Sequence, residues 1–389
     1  MKRWPEFDDE EIAAVESVLR SGRINYWTGE EGRNFEQAYA KACNRAYGVA
    51  LANGTVALEL ALKVLDIGPG DEVIVTPRSF IASASSALIC GAKPVFADVN
   101  PVSQNITAEA IAPVITPRTK AIIAVHLGGW PCDMDAICDL ARRHGIFVIE
   151  DCAQAHGATY RGQPVGSFGD VATFSFCQDK IITTGGEGGM LILDDQSLWE
   201  RAWSYKDHGK SYDAVYNREH APGFRWLHET AGTNWRMTEM QAAIGRIQLG
   251  RLPEWISKRR ALAARLQACC EALTVLRTTP PPAEIGHAYY RYYTFVRTDQ
   301  LARGWSRDRI MNDITAAGVP CFSGSCSEIY REKVFTDLGL QTEALPVAAE
   351  LGQTSLAFLV HPTLDDADMD TVCDAISSVC ATAASSVAA

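Results

Sequence analysis

Lys180 follows the apolar run Val171–Phe176 and precedes the apolar pair Ile181-Ile182, and a glycine-rich loop, Gly185-Gly186-Glu187-Gly188-Gly189, comes next. An isolated lysine is normally a solvated surface group. Apolar flanks would desolvate the amine, which predicts a lowered pKa and a nucleophile, and the glycines would let backbone pass close to a flat ligand. Upstream, Ile146-Phe147-Val148-Ile149-Glu150-Asp151-Cys152-Ala153-Gln154-Ala155-His156-Gly157 places Asp151 at the carboxyl end of a strand expected to be central and buried, where α/β sheets bind ligands. A buried carboxylate needs a cation or a strong donor, and a pyridinium N–H supplies one. A loop-start cap or an ion-pair member is the competing use of the same residue. Further upstream, Ala52-Asn53-Gly54-Thr55 leads directly into the apolar stretch Val56–Leu62. Free N–H groups at that helix start, with the Thr55 hydroxyl, make a phosphate cradle, although Asn and Thr are also ordinary caps. Amine, carboxylate and phosphate cradle together are the parts that pyridoxal phosphate requires.

These residues must be positioned by a larger pattern. From about residue 47, short apolar strands alternate with amphipathic helices. The strands are expected at Glu72–Thr76, Pro94–Ala97, Ala121–Val125, Ile146–Glu150, Val171–Phe176 and Met190–Leu193, and the helices at Thr55–Leu65, Ser79–Cys90 and Met134–His144. Such alternation implies a mainly parallel sheet covered on both faces. Before it, Asp8–Leu19 reads as a capped helix ending before Gly22. After about residue 250 the texture changes to an Arg/Ala-rich helix (Ser257–Leu273), a proline cluster and the aromatic strand Tyr289–Val296, read as a smaller α/β domain. The tail Ala381–Ala389 is expected to fray.

The chain has 389 residues, 47% apolar and 21% charged, with net charge −11. At about 150 residues per domain this allows two or three structural units. An acidic chain without a basic patch argues against nucleic-acid binding. No stretch of about 18 apolar residues suggests a membrane span, and the charged start Met1-Lys2-Arg3-Trp4-Pro5-Glu6 lacks a secretory h-region. The 12 cysteines are scattered, with no C-x-x-C pair and no metal-site or iron–sulfur spacing, and read as thiols in a reduced cytoplasm. The G-x-G-x-x-G and P-loop fingerprints are absent, which disfavours a nicotinamide dehydrogenase.

Four runs in order resemble the DegT/DnrJ/EryC1/StrS sugar aminotransferases over residues 23 to 363. They are Asn53-Gly54-Thr55; Glu150 to Gly157; Phe174-Ser175-Phe176 through Lys180 to Gly189; and Asn234-Trp235-Arg236-Met237-Thr238-Glu239-Met240-Gln241-Ala242-Ala243. The resemblance implies a type I pyridoxal-phosphate fold: a large domain, residues 1–250, with a mainly parallel seven-stranded sheet flanked by helices, and a smaller C-terminal α/β domain, residues 251–389. It implies pyridoxal 5'-phosphate as cofactor, and Lys180 and Asp151 as catalytic residues. Lys180 would form the internal Schiff base and shuttle the proton, and Asp151 would keep the pyridine nitrogen protonated. Gln154 would lie by the phenolic oxygen, Gly54, Thr55 and Ser175 would bind the phosphate, and Phe80 would stack on the ring. Asn234 would reach the phosphate from the neighbouring subunit, so a homodimer with shared sites is implied. Core packing is the competing role for Phe80, and an N-cap before Met237–Ile247 the competing role for Asn234.

Some members of that family carry His at the lysine position and are deoxysugar dehydratases; Lys180 favours transamination. The segment Gly318–Tyr330 departs from the commoner pattern, and with the loop Trp27-Thr28-Gly29-Glu30 it is expected to approach the substrate. The expectation is therefore a cytoplasmic aminotransferase, without metal, that moves an amino group from L-glutamate to a nucleotide-linked keto-sugar for lipopolysaccharide or another glycan. The competing readings are a dehydratase, a keto-inositol acceptor, or a non-catalytic cofactor-bound scaffold.

Overall fold

The computed structural model describes residues 1–341 and 343–385. A seven-stranded sheet runs in the order Tyr47–Leu51, Gly189–Leu193, Val171–Ser175, Phe147–Asp151, Thr119–Val125, Glu72–Val75 and Lys93–Phe96. The pairings from Val171–Ser175 across to Lys93–Phe96 are parallel, and Gly189–Leu193 is antiparallel to both of its neighbours. Successive residues point to opposite faces, so Val49, Leu51 and Ile149 join one core cluster while Ala50 joins a second and Val148 a third. Burial on both faces explains why these strands read as continuous apolar runs.

The expected strands and helices are present, with ends shifted by a few residues. The strand Tyr47–Leu51 is an addition. The helix expected from Ser79 begins at Ala82, because Pro77–Ile81 forms a turn; the helix Gly54–Val64 is capped by Asn53, whose side chain accepts the Val56 N–H at 3.0 Å. The N-terminal helix Asp9–Ser21 carries a capping box between Asp8 and Glu11 and ends on Gly22 in the left-handed region.

Beyond the large sheet, Leu276–Arg277, Arg291–Val296, Ser355–Leu359 and Cys321–Phe322 form a four-stranded antiparallel sheet. It packs with the helices Arg307–Ala316 and Asp366–Ala383 around a cluster of its own that includes Leu356, Phe358 and Ile376. The Arg/Ala-rich helix begins earlier than its composition indicates: it spans Glu239–Glu271 without a break at residue 250, capped by Thr238 and Gln241. Its start contributes Ala242 and Ile256 to a core cluster of the large sheet, and its end contributes Leu262, Leu266 and Cys270 to the smaller one. At the C-terminus the helix Asp366–Ala383 overlaps the stretch expected to fray, and residues 386–389 of that stretch lie outside the described residues. Among the described residues no helix is long and apolar enough to cross a membrane.

Candidate active site

One edge of the large sheet collects the carboxyl ends of its parallel strands, and the chemistry-bearing residues follow from that topology. Phe147–Asp151 ends on Asp151, Val171–Ser175 ends on Ser175, and Tyr47–Leu51 delivers Asn53, Gly54 and Thr55 to the same edge because Leu51 and Ser175 both pair with Gly189. The chain after Glu72–Val75 brings Phe80 there. Gly54, Thr55, Phe80, Asp151, Gln154, Ser175 and Lys180 all line one cleft of about 1110 Å³.

Asp151 is 4% exposed. One carboxylate oxygen accepts the Ser83 hydroxyl at 2.8 Å and the other accepts the Ala153 N–H at 3.2 Å. Burial raises its pKa, and the Ser83 hydrogen bond only partly offsets this. No Lys, Arg or His side chain pairs with it among the described residues, so a buried carboxylate faces the cleft with hydroxyl and amide donors alone. A protonated ring nitrogen fits that vacancy of charge. His156, five residues on, is held from both sides: its Nδ1 accepts the Tyr39 hydroxyl at 2.5 Å and its Nε2 donates to the Ser175 carbonyl at 2.8 Å. Burial lowers its pKa to about 3, so the imidazole is neutral and serves to fix Ser175.

The helix Gly54–Val64 presents the N–H groups of its first turn without intrahelical acceptors. Gly54 is required there by close approach: a Cβ would lie 2.6 Å from the Ser175 Cβ. Asn53 is thus a cap, and the free N–H groups of the helix start beside Ser175 could hold an anion. Gln154 turns its Oε1 to the Gly128 N–H at 2.7 Å. Phe80 is 67% exposed on the cleft, which removes the core-packing alternative.

Lys180 is held differently from the sequence expectation. Its Nζ pairs with Asp179 Oδ1 at 3.0 Å and lies 5.1 Å from the centre of the Tyr290 ring. Desolvation pulls the pKa down, but Tyr290 and Asp179 together outweigh it, and the net shift is upward. Asp179 also accepts the Tyr290 hydroxyl. The backbone of Lys180 is pinned as well, its carbonyl accepting the Trp4 indole N–H at 2.8 Å.

Two expected contributors lie elsewhere. Asn234 is exposed, pairs with Asp207 in an isolated bridge and does not line the cleft of its own chain; the neighbouring N-cap is Thr238, so Asn234 does not cap that helix. Residues Trp27 to Glu30 do not line the cleft either, because Trp27 packs on Trp203 and Tyr26 instead. From the Gly318–Tyr330 segment, Phe322, Gly324, Ser325, Cys326 and Ile329 do line it. Sequence reading gave no site role to Asp179, Tyr290, Arg291 or Tyr293, which also line the cleft. The dense aromatic strand Tyr289–Val296 was the available signal.

The family model described as the DegT/DnrJ/EryC1/StrS aminotransferase family matches residues 5–377. The chain belongs to this family. It is 40% identical over 360 residues to GDP-perosamine synthase of Caulobacter vibrioides, covering 91% of this chain and 92% of that protein. An aminotransferase from Psychrobacter cryohalolentis has a crystal structure that superposes with a TM-score of 0.97 at 55% identity, covering 98% of this chain and 99% of that one. A Streptococcus pneumoniae protein described as a sugar aminotransferase, solved in its PLP form, superposes with a TM-score of 0.87 at 25% identity, with 97% of each chain covered. The protein is an aminotransferase of the type I fold that uses pyridoxal phosphate. The unpaired Asp151, the free helix start at Gly54 and the amine of Lys180 fit that cofactor.

Proposed function

We propose that this aminotransferase moves an amino group from L-glutamate to a nucleotide-linked keto-sugar, in the making of an amino sugar for lipopolysaccharide or a related glycan. The observation that carries the reading is the convergence of Lys180, Asp151 and the Gly54–Ser175 anion pocket on a single cleft. At about 1110 Å³ it exceeds what a drug-sized ligand fills, leaving room for a sugar nucleotide beside a cofactor. Relatives named as making GDP-perosamine and as a dTDP-amino-sugar transaminase favour the sugar acceptor.

In this reading Lys180 anchors the cofactor and then carries the proton that must leave one carbon and return to another. When bound, pyridoxal phosphate supplies the electron sink that makes that proton transferable. Asp151 accepts the ring N–H and holds its proton in place; Ser83 keeps the carboxylate oriented. Gly54, Thr55 and Ser175 would hold the phosphate, and Gln154 and Phe80, which line the same cleft, would hold the ring. Glutamate and sugar use the cleft in turn, which is a ping-pong order. Asn234 serves the neighbouring subunit of a homodimer. The protein works in the cytoplasm, where sugar nucleotides are made. A dehydratase is the second reading, and the presence of Lys180 speaks against it.

The test is the visible spectrum of the protein loaded with pyridoxal phosphate. The band should bleach on adding L-glutamate, with release of 2-oxoglutarate, and a keto-sugar nucleotide should restore it. Lys180→Ala should abolish turnover; a fully active Ala variant would overturn the assignment.

A further inference from the structure

We propose that Arg291 receives a carboxylate of the incoming substrate, through a two-point guanidinium contact in the cleft. This rests on the aminotransferase reading of the cleft and deepens it by giving the chemical class of the group recognised. Arg291 opens the strand Arg291–Val296, and its side chain is 22% exposed. It lines both the main cleft and an adjoining cavity of about 390 Å³. The guanidinium packs on Tyr290, 4.7 Å from the ring centre, and on Phe322 at 5.7 Å. Such stacking fixes the plane of the fork while leaving its N–H edge free.

Among the described residues the Arg291 side chain donates no hydrogen bond. Its nearest carboxylate, Asp179, is 3.8 Å away, beyond hydrogen-bonding reach, and is already engaged with Lys180 and Tyr290. The other inward arginines donate to protein acceptors: Arg78 to Gln104, Ser327 and Ser355, and Arg259 to the carbonyls of Tyr289 and Val360. The Arg291 N–H edge is thus open to the cleft, where a ligand can accept from it.

The surroundings reinforce the need for an anion. The adjoining cavity is lined by Arg3, Arg259 and Arg291, by Lys2, which pairs with Asp365 at 2.9 Å, by a His361 whose pKa burial lowers to about 4, and by Asp179 as its one acidic side chain. Arg259 is buried, its Nε has no partner, and burial together with repulsion from Arg291 lowers its pKa to about 9. In a chain of net charge −11, the two guanidinium groups of Arg259 and Arg291 facing this cavity are a local cluster of positive charge beside the cleft. The planar fork matches a carboxylate, while the phosphate of the cofactor already has the Gly54–Ser175 pocket. Two sources present that chemistry: the dicarboxylate amino donor and a sugar oxidised to a uronic acid.

The experiment is calorimetric titration of the pyridoxal-phosphate-loaded wild type, Arg291→Gln and Arg291→Lys with 2-oxoglutarate, with D-glucuronic acid 1-phosphate and with D-glucose 1-phosphate. The visible band of the loaded protein shows beforehand that each variant folds and takes up cofactor. A protein without that band fails the aminotransferase reading itself, whereas a banded protein tests Arg291 alone. Loss of one charged two-point contact should weaken binding on the order of 10- to 100-fold in Arg291→Gln, with Arg291→Lys in between. A loss confined to 2-oxoglutarate assigns Arg291 to the amino donor; a loss confined to the glucuronate, with glucose 1-phosphate unchanged, assigns it to an acidic sugar. Wild type that binds neither carboxylate, variants that bind both as wild type does, or an equal loss for glucose 1-phosphate overturns the proposal.

Discussion

The pairing of Lys180 with Asp179 sets how readily the amine can be used. A raised pKa keeps Lys180 protonated to higher pH, so at neutral pH little of it is the free amine that captures a carbonyl. Asp179→Asn removes a counter-charge and therefore lowers the lysine pKa. The expected outcome is faster uptake of pyridoxal phosphate by the cofactor-free protein at neutral pH, with the rate-against-pH curve moved to lower pH. Growth of the visible band measures it, and a curve that stays in place would remove Asp179 from the role. This correction shows what sequence reading can and cannot reach. Lys180, Asp151 and Gly54 were legible because strand ends and a helix start are local patterns. The pKa of Lys180 was not, because Tyr290 sits more than a hundred positions away and neutralises the effect of the apolar flanks. Arg291 escaped for the same reason: nothing in its neighbours along the chain says which wall it will face.

The proposed phosphate pocket is a property of two elements, the helix Gly54–Val64 and the strand Val171–Ser175, that approach too closely for a side chain at residue 54. Gly54→Ala must push the helix start and Ser175 apart, because the new Cβ would sit 2.6 Å from the Ser175 Cβ. Overpacking of this kind costs about 1–3 kcal/mol. Binding of pyridoxal phosphate should weaken on the order of tenfold or more, measured by equilibrium titration, while thermal unfolding of the cofactor-free protein shifts only modestly. Unchanged affinity would mean that the cradle lies elsewhere. Element existence was readable from alternation, but the ends were not: the turn Pro77–Ile81 trims a helix, and the long helix starts eighteen residues before its Arg/Ala-rich section. We propose residues 1–250 and 251–389 as two bodies, for which a cluster built wholly of residues beyond 261 gives support, although Ile256, Ala288 and Tyr290 pack into a large-sheet cluster across that boundary.

At the scale of the whole molecule, Asn234 is the residue that one chain does not explain. It is exposed and lies outside the cleft, eight residues along the chain from Trp226, which is exposed with Phe224 in a pair whose rings stand 4.6 Å apart. If Asn234 serves the neighbouring subunit, two damaged proteins should repair each other. Lys180→Ala and Asn234→Ala, each inactive or weak alone, should regain up to about a quarter of wild-type activity when refolded together, because random pairing leaves one intact site in half of the dimers. Mixtures no more active than their parts would place Asn234 in its own chain's service or in none.

The helix Glu239–Glu271 passes from one core cluster to the other as a single rod about 50 Å long. A continuous rod held at both ends behaves as a flexure, not a hinge. Pro253 marks its soft point, since proline offers no N–H to the carbonyl of Leu249. Bending of the rod is thus concentrated three residues before Ile256, the last of its side chains in the large-sheet cluster.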